Sequence, residues 1–265
     1  MCYDISYRIT LDSIEDYFEN IEIDPQLEID FSLSIHVLAQ AFKKHPVILF
    51  EDGHLKLRGF EWGVIADYMD SPEKIKKMRN SMCNARSEKI LGDKKSYWHR
   101  LRKKRCLIPV NGIFEHREIK GWKNKVPYYV QLKDREMFCI PGLYHYPNRP
   151  SNIETGEVTG TFSLITREAN SLMKQIHNSG DQAFRMPLFL PKELELKWLD
   201  PELDDAGIAA ILDYEIPSSE LIYTPVYTIR STKPRPDQGI KTDPFEWPNL
   251  PPLGQDDGEL QKALF

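Results

Sequence analysis

The chain has 265 residues, 41% of them hydrophobic and 28% charged, and 35 Lys and Arg against 40 Asp and Glu give 35 − 40 = −5. These values are typical of a globular protein with one large or two small domains, and the length excludes the marginal core of a mini-protein. No run reaches the ~20 apolar residues of a membrane span, and the first residues lack a signal-peptide pattern. We therefore expect a cytoplasmic protein with no membrane partner.

The cysteine and histidine patterns argue against disulfides and metal sites. Four cysteines without a C-x-x-C pair are too few for a disulfide framework, so we expect reduced thiols. The histidines are scattered without the spacing of metal ligands, so we expect no metal site and no cofactor. The cysteines are Cys2, Cys83, Cys106 and Cys139.

The first third of the chain predicts one irregular segment, one helix and one hairpin. Residues 12–30 are acidic and irregular in pattern, which indicates a partly ordered excursion. Apolar residues recur at helical spacing in residues 34–44 and predict a helix. Residues 46–51 and 54–60 flank Asp52-Gly53, a turn that predicts a β-hairpin.

Strands dominate the remainder of the chain. A strand run is expected at 106–115, and the runs at 126–132 and 137–145 are expected to form a second hairpin. Further elements are expected as a strand at 161–166, helices at 169–176, 191–199 and 206–214, and a last strand at 221–229. This order predicts an α+β fold with a mainly antiparallel, barrel-like sheet flanked by a few helices.

The composition changes after residue 230. Residues 231–265 are rich in Pro, Asp and Gly, which indicates an extended or disordered tail that docks Phe245, Trp247 and Phe265 on the body. We therefore expect a single domain over residues 1–230 followed by this tail.

Cys2 is the residue with the most distinctive chemistry. Initiator Met is generally removed before a small residue, which would leave a free amino-terminal cysteine. An α-amine titrates near ~7.8, against ~10.4 for lysine, so about a tenth of it is unprotonated at pH 7 and able to attack an aldehyde. The neighbouring thiol can then close a five-membered thiazolidine ring. The alternative is that position 2 belongs to a frayed terminus.

Three further clusters contain candidate catalytic side chains. Asn84 and Arg86 precede a short helix, where a cap and a solvated charge are the alternative interpretation. Glu115 ends an apolar strand, so it is either exposed there or a buried acid with a raised pKa. His177 falls at the end of a predicted helix, and Arg185 follows it in an R-M-P motif.

The order of these motifs resembles the SRAP family, the SOS-response-associated peptidase-like proteins. They are Met-Cys at the start, W-G at 62, N-A-R-x-E at 84–88, R-C-L-I-P-x-x-G-x-x-E at 105–115, and I-H-N before R-M-P. The resemblance covers roughly residues 1–230. It implies a compact β-rich body with a groove for single-stranded DNA, and capture of abasic sites through a covalent bond to the amino-terminal cysteine.

By resemblance, Cys2 is the nucleophile, Asn84 positions it, Glu115 is an acid/base group and His177 acts on the sugar or the imine. The partner implied is single-stranded DNA containing abasic sites, and we expect a monomer. Glu and His also suit the proton transfers of imine formation on chemical grounds. We assign DNA contacts to Arg86, Tyr68, Trp62, Arg105 and Arg185, although tryptophans at such positions also serve in cores.

The chain departs from the family pattern beside two of these residues. Where the family commonly has a phosphate-binding Arg two positions after the cysteine, this chain has Asp4, which predicts a lost contact and repulsion of the DNA backbone. Residues 178–184 resemble an insertion between His177 and Arg185.

Two other functions remain open. Cys2 and His177 would also suit a cysteine peptidase, one that removes its own amino-terminal residue. A non-covalent single-stranded DNA-binding module would need only the basic residues around 99–105 and the aromatic residues beside them.

Overall fold

The computed structural model describes residues 2–25, 27, 34–150, 156–231 and 235–256, and their strands form two sheets. The α+β class is therefore confirmed. Every pairing in the five-stranded sheet is antiparallel. In spatial order its strands are β13 (Leu221–Pro225), β9 (Val126–Leu132), β8 (Gly112–Arg117), β1 (Asp4–Tyr7) and β3 (Ser34–Leu38).

The second sheet has eight strands and contains three parallel pairings, β2 with β5, β5 with β11 and β6 with β11. Because β11 also pairs with β5, the strands β11, β10, β7, β4 and β5 form a closed ring of hydrogen-bonded neighbours. The strands are β12 (Arg185–Pro187), β11 (Thr161–Glu168), β10 (Phe138–His145), β7 (Arg105–Val110), β4 (Lys44–Glu51), β5 (His54–Trp62), β2 (Glu22–Ile23) and β6 (Asn84–Arg86).

Short helices surround the sheets, and several begin at a side-chain cap. Thr10, Asn170 and Asp204 each accept a hydrogen bond from a first-turn amide. In the described ranges no helix combines the length and apolar character that a membrane crossing requires. The helices are α1 (Leu11–Tyr17), α2 (Pro72–Met78), α3 (Ser87–Ile90), α4 (Tyr97–Arg100), α5 (Ser171–Ile176), α6 (Lys192–Trp198) and α7 (Asp205–Leu212).

One hairpin and two helices that local signals predict are confirmed. The predicted hairpin is β4 and β5, and its turn places Asp52 at φ 54° and Gly53 at φ 85°. Both residues thus have the positive φ that a tight two-residue hairpin turn needs. The helices expected at 191–199 and 206–214 are α6 and α7.

The helix predicted over residues 34–44 is wrong. Residues 34–38 form β3, which pairs with β1 in the register Asp4 to Leu38, and a single 3₁₀ turn follows before β4. The apolar spacing in this segment suits a helix, but the edge of β1 offers a ladder of backbone hydrogen bonds. Such tertiary pairing commonly outweighs local helix propensity.

The second predicted hairpin is also wrong, because its two strands lie in different sheets. β9 pairs with β8 and β13, whereas β10 pairs with β7 and β11. The run 106–115 likewise divides at Asn111 into β7 and β8, one in each sheet. Glu115 therefore lies inside β8, which continues to Arg117, and does not end its strand.

The described part of the tail packs on the body. Trp247 stacks on Tyr227 with 5.8 Å between ring centroids, and its Nε1 donates to the Val226 carbonyl at 3.0 Å. Phe245 lies 4.7 Å from the same tyrosine ring. Phe265 lies outside the described residues.

Arg117 on β8 anchors residues 251–256 of this tail. The guanidinium is fully buried and donates from Nε to Asp256 Oδ1 at 2.6 Å. It also donates to the carbonyls of Pro251 at 2.8 Å and Pro252 at 2.6 Å. The tail thus supplies most of the acceptors for a charge that would be costly to bury alone.

Asp256→Ala is expected to lower the free energy of unfolding by about 3 kcal/mol, because it leaves the buried Arg117 guanidinium without its carboxylate. Urea denaturation at pH 7 measures the effect. Glu168→Ala, which breaks the exposed pair with Lys174, is the control and should cost less than about 1 kcal/mol. Equal losses in the two variants would contradict the anchoring role.

Candidate active site

Four elements bring the predicted catalytic side chains together. Cys2 lies two residues before the start of β1, which pairs with the strand that holds Glu115. Asn84 opens β6, and its Nδ2 donates to the Cys2 carbonyl at 2.9 Å. His177 follows α5, and its Nε2 lies 3.9 Å from Glu115 Oε2. All four residues are buried.

The Cys2 thiol is a protonated thiol in this environment. Sγ lies 3.7 Å from the Asp4 carbonyl, to which it donates, and the residue is completely buried. Burial, followed by the charges of Glu115 and Asp4, raises the pKa of the thiol well above its usual value. A thiolate is therefore not the resting form at neutral pH.

Glu115 is a carboxylic acid at neutral pH. Burial raises the pKa of its carboxyl group to about 8, so the group is mainly protonated at pH 7 and able to donate a proton. Glu115 Oε1 and Asn84 Oδ1 are both buried, and neither has a hydrogen-bond partner among the described residues. Unpartnered buried oxygens are uncommon in folded proteins, and a catalytic role is one of the recognised reasons for them.

His177 is a neutral base with a defined tautomer. Its Nδ1 lies 2.7 Å from the Arg185 carbonyl oxygen, which can only accept, so the proton is on Nδ1. Burial lowers the pKa of the imidazole to about 4. The basic lone pair is therefore on Nε2, the nitrogen that faces Glu115, and 3.9 Å is too long for a direct hydrogen bond between them.

Asp4 is paired, which sequence reasoning did not anticipate. Its buried carboxylate accepts from Arg230 Nε at 2.9 Å and from His36 Nε2 at 2.7 Å. Burial opposes ionisation, but these hydrogen bonds outweigh it and lower the pKa of Asp4. Lys241 lies 3.2 Å from the other His36 nitrogen. The negative charge of Asp4 is thus balanced by Arg230 and His36. Both residues are distant from Asp4 in the sequence, so no local pattern predicts the pairing.

Three of the predicted DNA-contact residues lie at the surface or partly exposed. Tyr68 is 44% exposed, and its hydroxyl contacts Met82 Sδ at 3.7 Å. Arg185 donates to Glu88 at 2.7 and 3.0 Å, and Arg86 donates to Gln182. Arg86 lies two residues after Asn84 on β6, and the backbone carbonyl of Arg185 contacts His177 Nδ1.

Trp62 and Arg105 are buried, which argues against the predicted DNA contacts. Trp62 Nε1 donates to the Cys83 carbonyl at 2.8 Å, and its ring stacks on Phe162. Arg105 donates from Nε to the Trp198 carbonyl at 2.7 Å and caps the end of α6. An indole and a guanidinium enclosed in this way support the core. The residues next to Arg105 in the sequence do not indicate that it is buried. The carbonyl groups that accept hydrogen bonds from its Nε and Nη2 belong to α6 and the residues after it, which are distant in the chain.

Comparison with known proteins places these residues in a family. A family model described as SOS response associated peptidase (SRAP) matches residues 1–229. The chain is 33% identical over 201 residues to the abasic site processing protein YoqW of Bacillus subtilis, covering 75% of this chain and 81% of that protein. It is 31% identical over 193 residues to the abasic site processing protein YobE of the same species, covering 72% and 80%.

The fold has solved counterparts as well. A crystal structure of a protein from Bacteroides thetaiotaomicron is similar with a TM-score of 0.74 and 30% identity, over 92% of this chain and 97% of that one. The sequence match and the fold agree over nearly the whole described body. This chain belongs to the SOS response associated peptidase (SRAP) family.

Proposed function

We propose that this protein processes abasic sites in single-stranded DNA by joining Cys2 covalently to the sugar as a thiazolidine. The observation that carries the proposal is the arrangement around Cys2, where a protonated Glu115 and a neutral His177 face each other across 3.9 Å. The names of YoqW and YobE, both abasic site processing proteins, support the same substrate.

The first step opens the sugar. An abasic deoxyribose is mainly a closed hemiacetal, and only its open form carries an aldehyde. In our proposal, His177 Nε2 takes the proton of the C1 hydroxyl and returns it to the ring oxygen as the C1 to ring-oxygen bond breaks. The hydrogen bond from Nδ1 to the Arg185 carbonyl sets the tautomer and places the basic lone pair on Nε2.

The second step forms the covalent bond. The α-amine of Cys2, free once Met1 is removed, attacks C1 of the aldehyde. Glu115 donates a proton to the resulting hydroxyl, which leaves as water and gives an iminium ion that keeps its N–H proton. The Cys2 sulfur then adds to the iminium carbon, and the thiol proton returns to the Glu115 carboxylate. Aldehyde and aminothiol thus become a thiazolidine plus one water, with the catalytic groups unchanged.

Asn84 and the surface arginines serve as binding groups in this proposal. Asn84 holds the Cys2 carbonyl at 2.9 Å and thereby orients the amine. Arg86 and Arg185 bind phosphates beside the lesion, and Tyr68, with its exposed ring, stacks on a base. Trp62 and Arg105 have no part in it.

The raised pKa of the Cys2 thiol disfavours a cysteine peptidase, which needs a thiolate or a base in contact with the sulfur. The amine route needs no thiolate in its first step. A non-covalent DNA-binding module requires none of the buried acid/base groups.

A denaturing gel tests the proposal. The protein is incubated with single strands that carry an abasic site, an intact base or a tetrahydrofuran analogue without an aldehyde. We expect a heat-stable band only with the abasic strand, and an intact mass equal to protein without Met1 plus strand minus one water. Salt-sensitive binding with no covalent band would reject crosslinking and favour the binding module. A band with the tetrahydrofuran strand would reject the aldehyde chemistry.

A further inference from the structure

Phe184 adjoins the candidate site and is 49% exposed in spite of its apolar ring. Its backbone has φ 60°, a left-handed conformation that bulky residues rarely adopt. Two backbone hydrogen bonds hold it there, one from Phe184 N to the His177 carbonyl and one from Ala169 N to the Phe184 carbonyl, both 2.8 Å. The Phe184 backbone is therefore bonded to that of His177, the residue that we assign as a base, while about half of the Phe184 surface is exposed to solvent.

The loop that carries this ring, residues 178–184, is fixed on two sides. Asn178 Oδ1 accepts from the Glu118 amide at 2.8 Å, and Asn178 Nδ2 donates to the Glu118 carbonyl at 2.9 Å. On the other side Gln182 accepts from Arg86. The loop is therefore held to Glu118, which directly follows the strand that contains Glu115, and to Arg86, which lies two residues after Asn84. The loop has one exposed aromatic side chain, Phe184.

We propose that Phe184 stacks on the base next to the abasic sugar and so places that sugar beside His177; this inference rests on the proposed function. A nucleotide without its base leaves a gap in the stack, so the neighbouring base has an uncovered face. Aromatic side chains bind such faces without sequence preference. A ring on a fixed loop loses little conformational freedom on binding, which favours its use as a platform.

The loop also explains why this contact is separate from the phosphate contacts. Arg86 donates to Gln182 and Arg185 directly follows Phe184, so both arginines lie at the end of the loop that carries the ring. Guanidinium groups recognise the backbone of the strand, whereas a stacking residue beside them engages a base of the same strand. Phe184 is therefore a strand-positioning residue, and no atom of its side chain takes part in the bond-forming steps.

Fluorescence of 2-aminopurine beside a tetrahydrofuran analogue tests this contact without covalent chemistry. We expect the wild-type protein to quench the probe when it lies on one side of the analogue. Phe184→Ala should lose that quenching and bind the strand about tenfold more weakly, whereas Phe184→Trp should retain both. Leu196→Ala, which removes an exposed apolar side chain from α6, should behave as wild type. Melting temperatures confirm that each variant is folded.

Crosslinking to a true abasic strand separates the two proposals. We expect Phe184→Ala to raise the half-saturating strand concentration more than it lowers the maximal rate. Wild-type crosslinking together with unchanged quenching and affinity in Phe184→Ala would overturn the role of Phe184 alone. Absence of crosslinking by the wild-type protein would overturn the proposed function. Loss of quenching in Leu196→Ala as well would show that the signal does not report stacking and would also overturn the inference.

Discussion

Replacing Cys2 with alanine is expected to abolish the heat-stable crosslink to an abasic strand. The variant keeps an α-amine after removal of Met1, so it still forms an imine, but it has no thiol to close the ring. An imine hydrolyses on heating, whereas borohydride reduces it to a stable amine. We therefore expect no band on a denaturing gel without borohydride and a band with it.

Cys139→Ala is the matched control, because Cys139 is a second fully buried cysteine that lies in the other cluster of the core. It should crosslink at the wild-type rate. Cys2→Ser tests the sulfur more narrowly, since a hydroxyl closes the ring far less readily than a thiol. A heat-stable band from Cys2→Ala without borohydride would identify a different nucleophile and contradict the thiazolidine.

Glu115→Gln is expected to slow crosslinking by about 10²- to 10⁴-fold, the range typical of losing a general acid. Gln has the shape of protonated Glu but no transferable proton. Because the pKa of Glu115 is about 8, the wild-type rate should fall as pH rises above 8, where the acid form is lost. Single-turnover rates from pH 6 to 10 measure this, and the falling limb should be absent in Glu115→Gln.

The same substitution should stabilise the fold at neutral pH. A carboxyl group with a pKa of about 4.3 unfolded and about 8 folded binds more protons in the folded state across that interval. Stability therefore decreases as pH rises from about 4 to about 8, and the cost at pH 7 is on the order of 3 kcal/mol. Glu115→Gln does not titrate and avoids this cost.

Urea denaturation of both proteins at pH 5, 7 and 8.5 measures the difference. We expect the two curves to lie close together at pH 5 and the variant to be more stable at pH 7 and above. A difference independent of pH would show that Glu115 has an ordinary pKa and would remove the basis for its role as an acid. A large rate loss together with a stability gain is typical of a group retained for chemistry and not for folding.

The candidate nucleophile and acid/base residues could be predicted from sequence because their identities and order are sequence properties. The motifs that contain Cys2, Asn84, Glu115 and His177 are short and ordered along the chain. Folding then determines only whether these four side chains lie close together. The hairpin of β4 and β5 was likewise predictable, since an Asp-Gly turn acts through the backbone preferences of two adjacent residues.

The family, the residue types available for chemistry and the elements set by neighbouring residues could therefore be predicted from the sequence. That residues 34–38 form a strand, that Arg105 is enclosed and that Asp4 pairs with Arg230 depends on contacts made only in the folded chain. The same holds for the pKa of Glu115, because burial by remote elements sets the desolvation of the carboxyl group. Strand pairing, side-chain burial and desolvation of a carboxyl group all depend on residues that are distant in the sequence, so a local sequence pattern does not predict them.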